Sequence, residues 1–420
     1  MDALGKYSFG VGDRFGKEGK AQLEAILKIR KAGVEVIPVW NKSNREHETV
    51  GTRPQSLREE ADNAVKAAGY EGDYFVDADH INFKTVDPYL EVSDFFTIDV
   101  AVFIGKPAPE QEEERFLSFF REYSGELKIP GIERKMQISK IQLREMLGNF
   151  LLAAKNAGEV YFYIQENKKE EVYIEVSIDE VANPQTPVEL FFILAALAYY
   201  KVPVNTIAPK FTGNFYKGVD YQGDVKQFEK EFEEDLLVID FAVKEFGLPQ
   251  DLRISVHTGS DKFSVYPVIR RLIQKHNAGL HLKTAGTTWL EELIGIAESE
   301  REGFHFSIEL YREALERYDE LTKDYKSVLS IDKSKLPAPE DFSSGKEFAA
   351  ALRHEPDSSE YNLHFRQLLH TAYKIAAEKG DEFFALLERY REKIEENVTD
   401  NLYRKHLKPL FLADHENNSF

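Results

Sequence analysis

Apolar residues in this chain gather in short blocks, and each block is followed by a stretch with helical spacing. Val36, Ile37, Val39 and Trp40 form one block; Phe95, Phe96, Ile98 and Val100 form another; Ile174, Val176 and Ile178 a third. Short unbroken apolar runs of this kind read as parallel strands buried on both faces. Between them Leu23, Ile26, Leu27 and Ile29 mark a helix over 20–31, and similar faces fall at 56–68, 187–200, 225–246, 267–276 and 289–297. Pro187 opens one of these helices, in the first turn where its missing N–H costs nothing. The strand candidates are 7–10, 34–40, 74–79, 95–100, 172–178, 204–208, 252–257 and 279–283. Eight strands alternating with helices predict an α/β chain folded as a closed (β/α)8 TIM-type barrel over 1–300, in preference to an open doubly wound sheet. Pro38 inside the second strand and the long charged segment after the fourth, about 107–157, fit this least well; the latter reads as a helical insertion. Past 300 no strand candidate occurs. Ile308, Tyr311, Leu315 and Leu321, then Leu363, Leu368, Leu369, Ala372 and Ile375, define helical faces of an α-helical extension over 301–412 packed on the barrel, with a frayed polar tail at 413–420.

Composition narrows the function. Of 420 residues 42% are hydrophobic, enough for a large core. A net charge of −19 excludes a nucleic-acid partner, which needs a basic face, but not a small anionic substrate held by a few buried cations. The absence of cysteine removes disulfides, thiolate ligands and cysteine nucleophiles together. The first residues lack signal-peptide character, and the longest apolar block, 190–200, is short of the ~20 residues that span a bilayer. A cytoplasmic enzyme with no membrane partner is expected, and a homo-oligomer is compatible with the pattern.

The candidate chemistry lies where strands end. His80, His257 and His281 each stand at the outgoing end of a strand candidate, the edge where barrel enzymes carry their catalytic groups. Three imidazoles with carboxylates and no thiolate suit an open site for Zn, Ni, Mn, Co or Fe. Asp77 and Asp79 share one face of their strand and His80 takes the other, so the three act together only if the strand bends at its end. In isolation they would read as a helix cap and a rim histidine. Glu175, flanked by Ile174 and Val176, is a buried carboxylate that must be paired, metal-bound or protonated. Substrate-binding candidates are Asp13 and Arg14 in the first turn, Lys210 after the sixth strand, Ser260, Asp261 and Lys262 after the seventh, and Lys283, which shares a face with His281. Asn41, Asn44 and Arg45 are less specific binders of hydroxyl or carboxylate. The glycines of the first turn are spaced GxGxxxG, which is not the dinucleotide fingerprint. The segment 179–184 reads as an ordinary exposed loop, His406 as surface, and His370 as core or surface. An isomerase, an aldolase and a metal hydrolase all fit such a site.

Several segments carry a family resemblance: Phe9-Gly10-Val11-Gly12-Asp13-Arg14, Asp77-Ala78-Asp79-His80, Glu175-Val176-Ser177-Ile178-Asp179-Glu180, Gly218-Val219-Asp220-Tyr221-Gln222-Gly223-Asp224, the block from Ser255 through His257 to Pro267, His281-Leu282-Lys283-Thr284-Ala285-Gly286-Thr287 and Arg366-Gln367-Leu368-Leu369-His370. In order, over nearly the whole chain, they resemble the bacterial tagaturonate epimerase family. The resemblance implies a divalent-metal enzyme that interconverts tagaturonate and fructuronate by inverting C4. It implies Asp79 as proton acceptor, Glu175 as proton donor and His80 as a metal ligand; the strand-end argument adds His257 and His281 as the other two ligands. The chain departs from the family in starting at the first barrel strand, after Asn41, and in the helix after Gly16. An epimerase of the neutral pair fructose and tagatose, or a class II-type aldolase, therefore stays open. C4 lies β to the ketone, so its proton is not acidic by simple enolisation; retro-aldol cleavage and re-addition is the expected route.

Overall fold

The computed structural model describes residues 4–181, 183–284 and 286–412; the tail at 413–420 lies outside the described residues. The eight apolar runs form eight parallel strands: β1 (Tyr7–Val11), β2 (Ile37–Ser43), β3 (Phe75–Ile81), β4 (Phe95–Asp99), β5 (Tyr173–Ser177), β6 (Thr206–Ala208), β7 (Arg253–His257) and β8 (Leu280–Lys283). Each pairs with its neighbours in sequence, and β1 closes on β8 with Ser8 opposite His281 and Gly10 opposite Lys283. The result is a closed (β/α)8 barrel surrounded by helices.

Strand alternation sorts the side chains. Outward residues such as Val76, Phe96, Ile98, Ile174 and Val176 pack under the helices in the main core. Inward residues divide by depth. Leu4, Ile37, Val39, Phe75, Phe95 and Tyr173 form an apolar floor of their own, with the Phe75 and Tyr173 rings 4.7 Å apart. Further along the same strands the inward face turns polar, through Asp77, Thr97, Glu175 and Lys283. That change from apolar to charged along one face gives the barrel its catalytic end.

β2 forms straight through Pro38, which sits opposite Phe9, at the cost of one ladder donor. Ser43 then caps the helix Asn44–Val50 through a capping box with Glu46. After β4 the insertion contains the helix Glu110–Phe119 and an unanticipated hairpin, Gly125–Leu127 with Met136–Ile138. Strands of three residues carry too few alternating positions to stand out in sequence. The boundary at 157 falls inside the 28-residue helix Lys140–Asn167, which is the crossover to β5.

The carboxyl-terminal helices share the barrel's core. Phe348, Leu368, Phe383 and Ile394 join the same apolar cluster as Leu23, Trp289 and Leu293. Trp289 Nε1 donates to Leu369 O at 2.8 Å, and the ring of Phe15 from the first turn packs at a tilt against Phe383, centroids 4.6 Å apart. The extension thus closes over the loops that follow β1, β7 and β8. Among the described residues no helix is long and apolar enough to cross a membrane.

Candidate active site at the carboxyl mouth of the barrel

Three carboxylates converge on one buried ammonium. Lys283 Nζ lies 2.6 Å from Asp77 Oδ2, 2.9 Å from Asp79 Oδ1 and 3.0 Å from Glu175 Oε1, and donates to Thr97 Oγ1 at 2.5 Å. Thr97 Oγ1 in turn donates to Asp77, and Thr206 Oγ1 donates to Glu175 Oε2 at 2.7 Å. The grouping follows from alternation alone, because all these residues take inward positions on β3, β4, β5, β6 and β8.

His80 breaks that rule. Its position on β3 points outward by parity, yet it donates to Asp79 Oδ1 from Nδ1 at 2.8 Å and faces His257 at 5.2 Å between ring centroids. The register with β4 shifts between Ala78 and Ile81, and His80 takes φ 55. A left-handed backbone at a histidine stores strain of order ~1–3 kcal/mol and is characteristic of functional sites. The bend required by the sequence argument is therefore present.

His257 ends β7. Its Nε2 donates to Glu175 Oε1 at 2.7 Å, while Nδ1 lies 3.3 Å from Asp179 Oδ2 without hydrogen-bond geometry and is a buried polar atom with no hydrogen-bond partner among the described residues. One ligand atom each from His80, Asp179 and His257 can be chosen so that all lie within 4.8 Å of one another. Two imidazoles, each oriented by a carboxylate on one ring nitrogen and leaving the other free, plus a carboxylate, form a donor set that fits a divalent ion.

The electrostatics favour a cation. Burial pushes Asp79 and Glu175 up, but Lys283 with His80 outweighs this at Asp79, and Lys283 with His257 at Glu175, so both stay ionised. Burial, with Asp79 and Glu175 alongside, raises Asp77 to about 7 against the opposing pull of Lys283. Burial opposes charge on the histidines, yet Asp79 lifts His80 to about 9, and Asp179 and Glu175 lift His257 to about 10.

The other expected residues separate into those at the mouth and those that hold the structure together. His281 is fully buried two residues before Lys283. Its Nδ1 meets Ser8 Oγ at 2.8 Å, its ring lies 5.2 Å from Phe95, and burial lowers it to about 3. Among the described residues, the possible ligand atoms that lie close together come from His80, His257 and Asp179 and do not include His281. Asp179 had read as a loop residue. The signal was available: Tyr173, Glu175, Ser177 and Asp179 continue one alternation past the strand end, and Ser177 Oγ donates to Asp179.

Arg14 reaches the mouth, bound to His370 O at 2.9 Å and Glu46 Oε1 at 3.2 Å, with its guanidinium over the Tyr373 ring. Asp13 instead accepts the backbone N–H groups of Phe15, Lys17 and Glu18 and so shapes the first turn. Lys262 Nζ is used up by Tyr216 O, Val219 O, Asp261 O and Ser260 Oγ, and Ser260 Oγ also accepts from Gly218 N. Asp261 binds Arg366, His354, His406 and Thr287. Ser260, Asp261 and Lys262 are thus committed to the frame. His406, read as surface, is fully buried within it because the π-helical turn Asn401–Leu407 carries it under the barrel loops. Lys210 is half-buried and anchored by its backbone N–H to Gln185 Oε1.

A parallel barrel with buried carboxylates and a group of possible metal ligands at its carboxyl mouth defines the class as a (β/α)8 enzyme. Comparison with known proteins gives the particular one. The sequence profile of the tagaturonate epimerase family matches residues 2–410, and the chain belongs to that family. It is 30% identical over 415 residues to the tagaturonate/fructuronate epimerase of Thermotoga maritima, covering 94% of this chain and 79% of that one. Among solved structures, a glycerol complex of fructuronate-tagaturonate epimerase from Cohnella laeviribosi superposes with TM-score 0.80 at 25% identity, over 96% of this chain and 81% of its own. The native form of the same enzyme gives 0.78 at 25% identity, over 98% and 82%. The protein is an isomerase of the epimerase type.

Proposed function

We propose that this enzyme interconverts D-tagaturonate and D-fructuronate by inverting C4, with a divalent ion held by His80, His257 and Asp179. The observation that carries this reading is that Asp79 and Glu175 meet on a single buried ammonium while each also orients one ligand histidine. When bound, the ion supplies a Lewis acid for the ketone and a neighbouring oxygen of the sugar. The chain's own groups move the protons. Asp79, held ionised, takes the proton of the C4 hydroxyl. Its electron pair forms the C4 aldehyde as the C3–C4 bond breaks, and that bond's electrons go to C3 as an enediolate. After the aldehyde turns its other face, the bond re-forms; Asp79 returns its proton to Lys283 as the ammonium passes one to Glu175, and Glu175 gives that proton to the C4 oxygen. The buried floor and the carboxyl-terminal helices keep the fragments in place. A cytoplasmic location and a sugar acid as substrate belong to this reading.

The test is metal analysis of the purified protein together with NMR of D-tagaturonate turnover in D₂O. The reading requires C4 inversion, dependence on a divalent ion and no deuterium at C4; deuterium uptake at C4 would rule out the cleavage route, and no inversion would rule out the function.

A further inference from the structure

The mouth carries cations that the acid–base chemistry does not use. Lys217, in the loop after β6, has its Nζ so close to Gly259, two residues beyond His257, that a Cβ built there would stand 2.8 Å from it. The charges that act on its amine belong to Arg45, Glu46, Arg14 and Glu180, which follow β2, β1 and β5. Lys217 therefore lies against the loop that carries His257 out of β7. Arg45 extends from the helix after β2 with its guanidinium 5.1 Å above the Tyr325 ring. Among the described residues neither Lys217 nor Arg45 has a carboxylate within ion-pair distance. The third cation, Arg14, is paired with Glu46 and bound to His370. In a chain of net charge −19, an ammonium and a guanidinium with no carboxylate in ion-pair contact beside the strand-end loops offer an anion subsite.

We propose that Lys217, together with Arg45, binds the carboxylate of the substrate and so selects ketouronates over neutral ketohexoses. The proposal rests on the epimerase reading above. The carboxylate terminus of a six-carbon chain whose ketone end lies at His80, His257 and Asp179 meets Lys217 deeper in the mouth and Arg45 at its rim. Gly259 is required in this arrangement: it lies at φ 63, and any side chain there would displace the amine.

Steady-state kinetics on D-tagaturonate for wild type, Lys217→Met, Lys217→Arg and Arg45→Gln tests the subsite. Losing one charged contact of this kind corresponds to a rise in KM of about 10- to 100-fold for Lys217→Met, with kcat within about threefold of wild type. Lys217→Arg restores most of the affinity, and Arg45→Gln, at the exposed rim, raises KM by about threefold or more. Added salt raises the wild-type KM more steeply than that of Lys217→Met. An unchanged KM in both Lys217→Met and Arg45→Gln, or a fall in kcat at constant KM, overturns the proposal. Should Lys217→Met fail to fold by circular dichroism, Arg45→Gln decides alone. A wild-type protein inactive on D-tagaturonate defeats the epimerase reading, and the subsite with it; a wild type that is active, with variants of unaltered KM, defeats the subsite only.

Discussion

Glu175 and Asp261 are both fully buried carboxylates close to the ends of barrel strands, and they live in opposite surroundings. Asp261 is saturated. Arg366 Nη2 donates to it at 2.7 Å, His354 Nδ1 at 2.9 Å, Thr287 Oγ1 at 2.9 Å and His406 Nε2 at 3.1 Å. Its partners are saturated as well: Arg366 also donates to Gly218 O and Leu352 O, and Tyr266 OH engages His406 Nδ1. Around Glu175 the balance is uneven. One ammonium serves three carboxylates, Asp179 adds a fourth, and His257 Nδ1 lacks a hydrogen-bond partner among the described residues. A closed ion cluster stitches the β6, β7 and β8 loops to the terminal helices. An open cluster with four carboxylates around one ammonium is stable only when a proton or a cation joins it, which is the charge pattern expected of a functional site.

The sharpest way to break this comparison is to remove one charge from each cluster. Asp79→Asn or Glu175→Gln should lower kcat by roughly 10²- to 10⁴-fold, the range for loss of a positioned acid or base, while the protein stays folded. Asp261→Asn should do the reverse, costing about 3–5 kcal/mol of stability by leaving Arg366 buried and unpaired, with kcat of the surviving folded fraction little altered. Urea unfolding monitored beside turnover separates the two; a catalytic loss without a stability loss in Asp261→Asn would dissolve the distinction.

A gentler probe is pH. In metal-free protein His80 is raised to about 9 and His257 to about 10, both above the usual 6.5. Raised imidazoles contribute stability that is complete below pH ~6.5 and is lost as pH climbs through about 9 to 10. Chelator-treated protein should therefore melt at progressively lower temperature across that window, and a divalent ion, which displaces those protons, should bind more tightly over the same range. Thermal scans with and without metal at several pH values read both effects, and a flat chelated profile would contradict the ionised histidines.

Much of the barrel was legible because buried parallel strands leave unbroken apolar runs, and the eight runs survive as eight strands even through Pro38. Period-two alternation also paired Asp77 with Asp79 and His281 with Lys283 on shared faces, but Lys283 read as a substrate contact and its meeting with the three carboxylates was not foreseen. It could not say how deep each residue lies. His281 and Lys283 share a face two residues apart, yet one is buried beside Phe95 and Ser8 while the other holds the three carboxylates. Ser260, Asp261 and Lys262 looked like a binding loop because they are polar and follow a strand-end histidine. Their partners, Arg366, His354 and His406, lie far along the chain, and no local pattern reveals such pairings.

Sequence by itself thus determined the barrel, its family and the inward faces of Asp79 and Glu175, since each depends on local periodicity or on residue strings that persist in order. Tertiary structure alone decided the depth of His281, the bend that turns His80 inward, the structural fate of Asp261 and the nearness of Lys217 to Gly259. Those outcomes depend on depth within the barrel and on loops brought together by closure, and distances between residues remote in sequence exist only once the chain has folded.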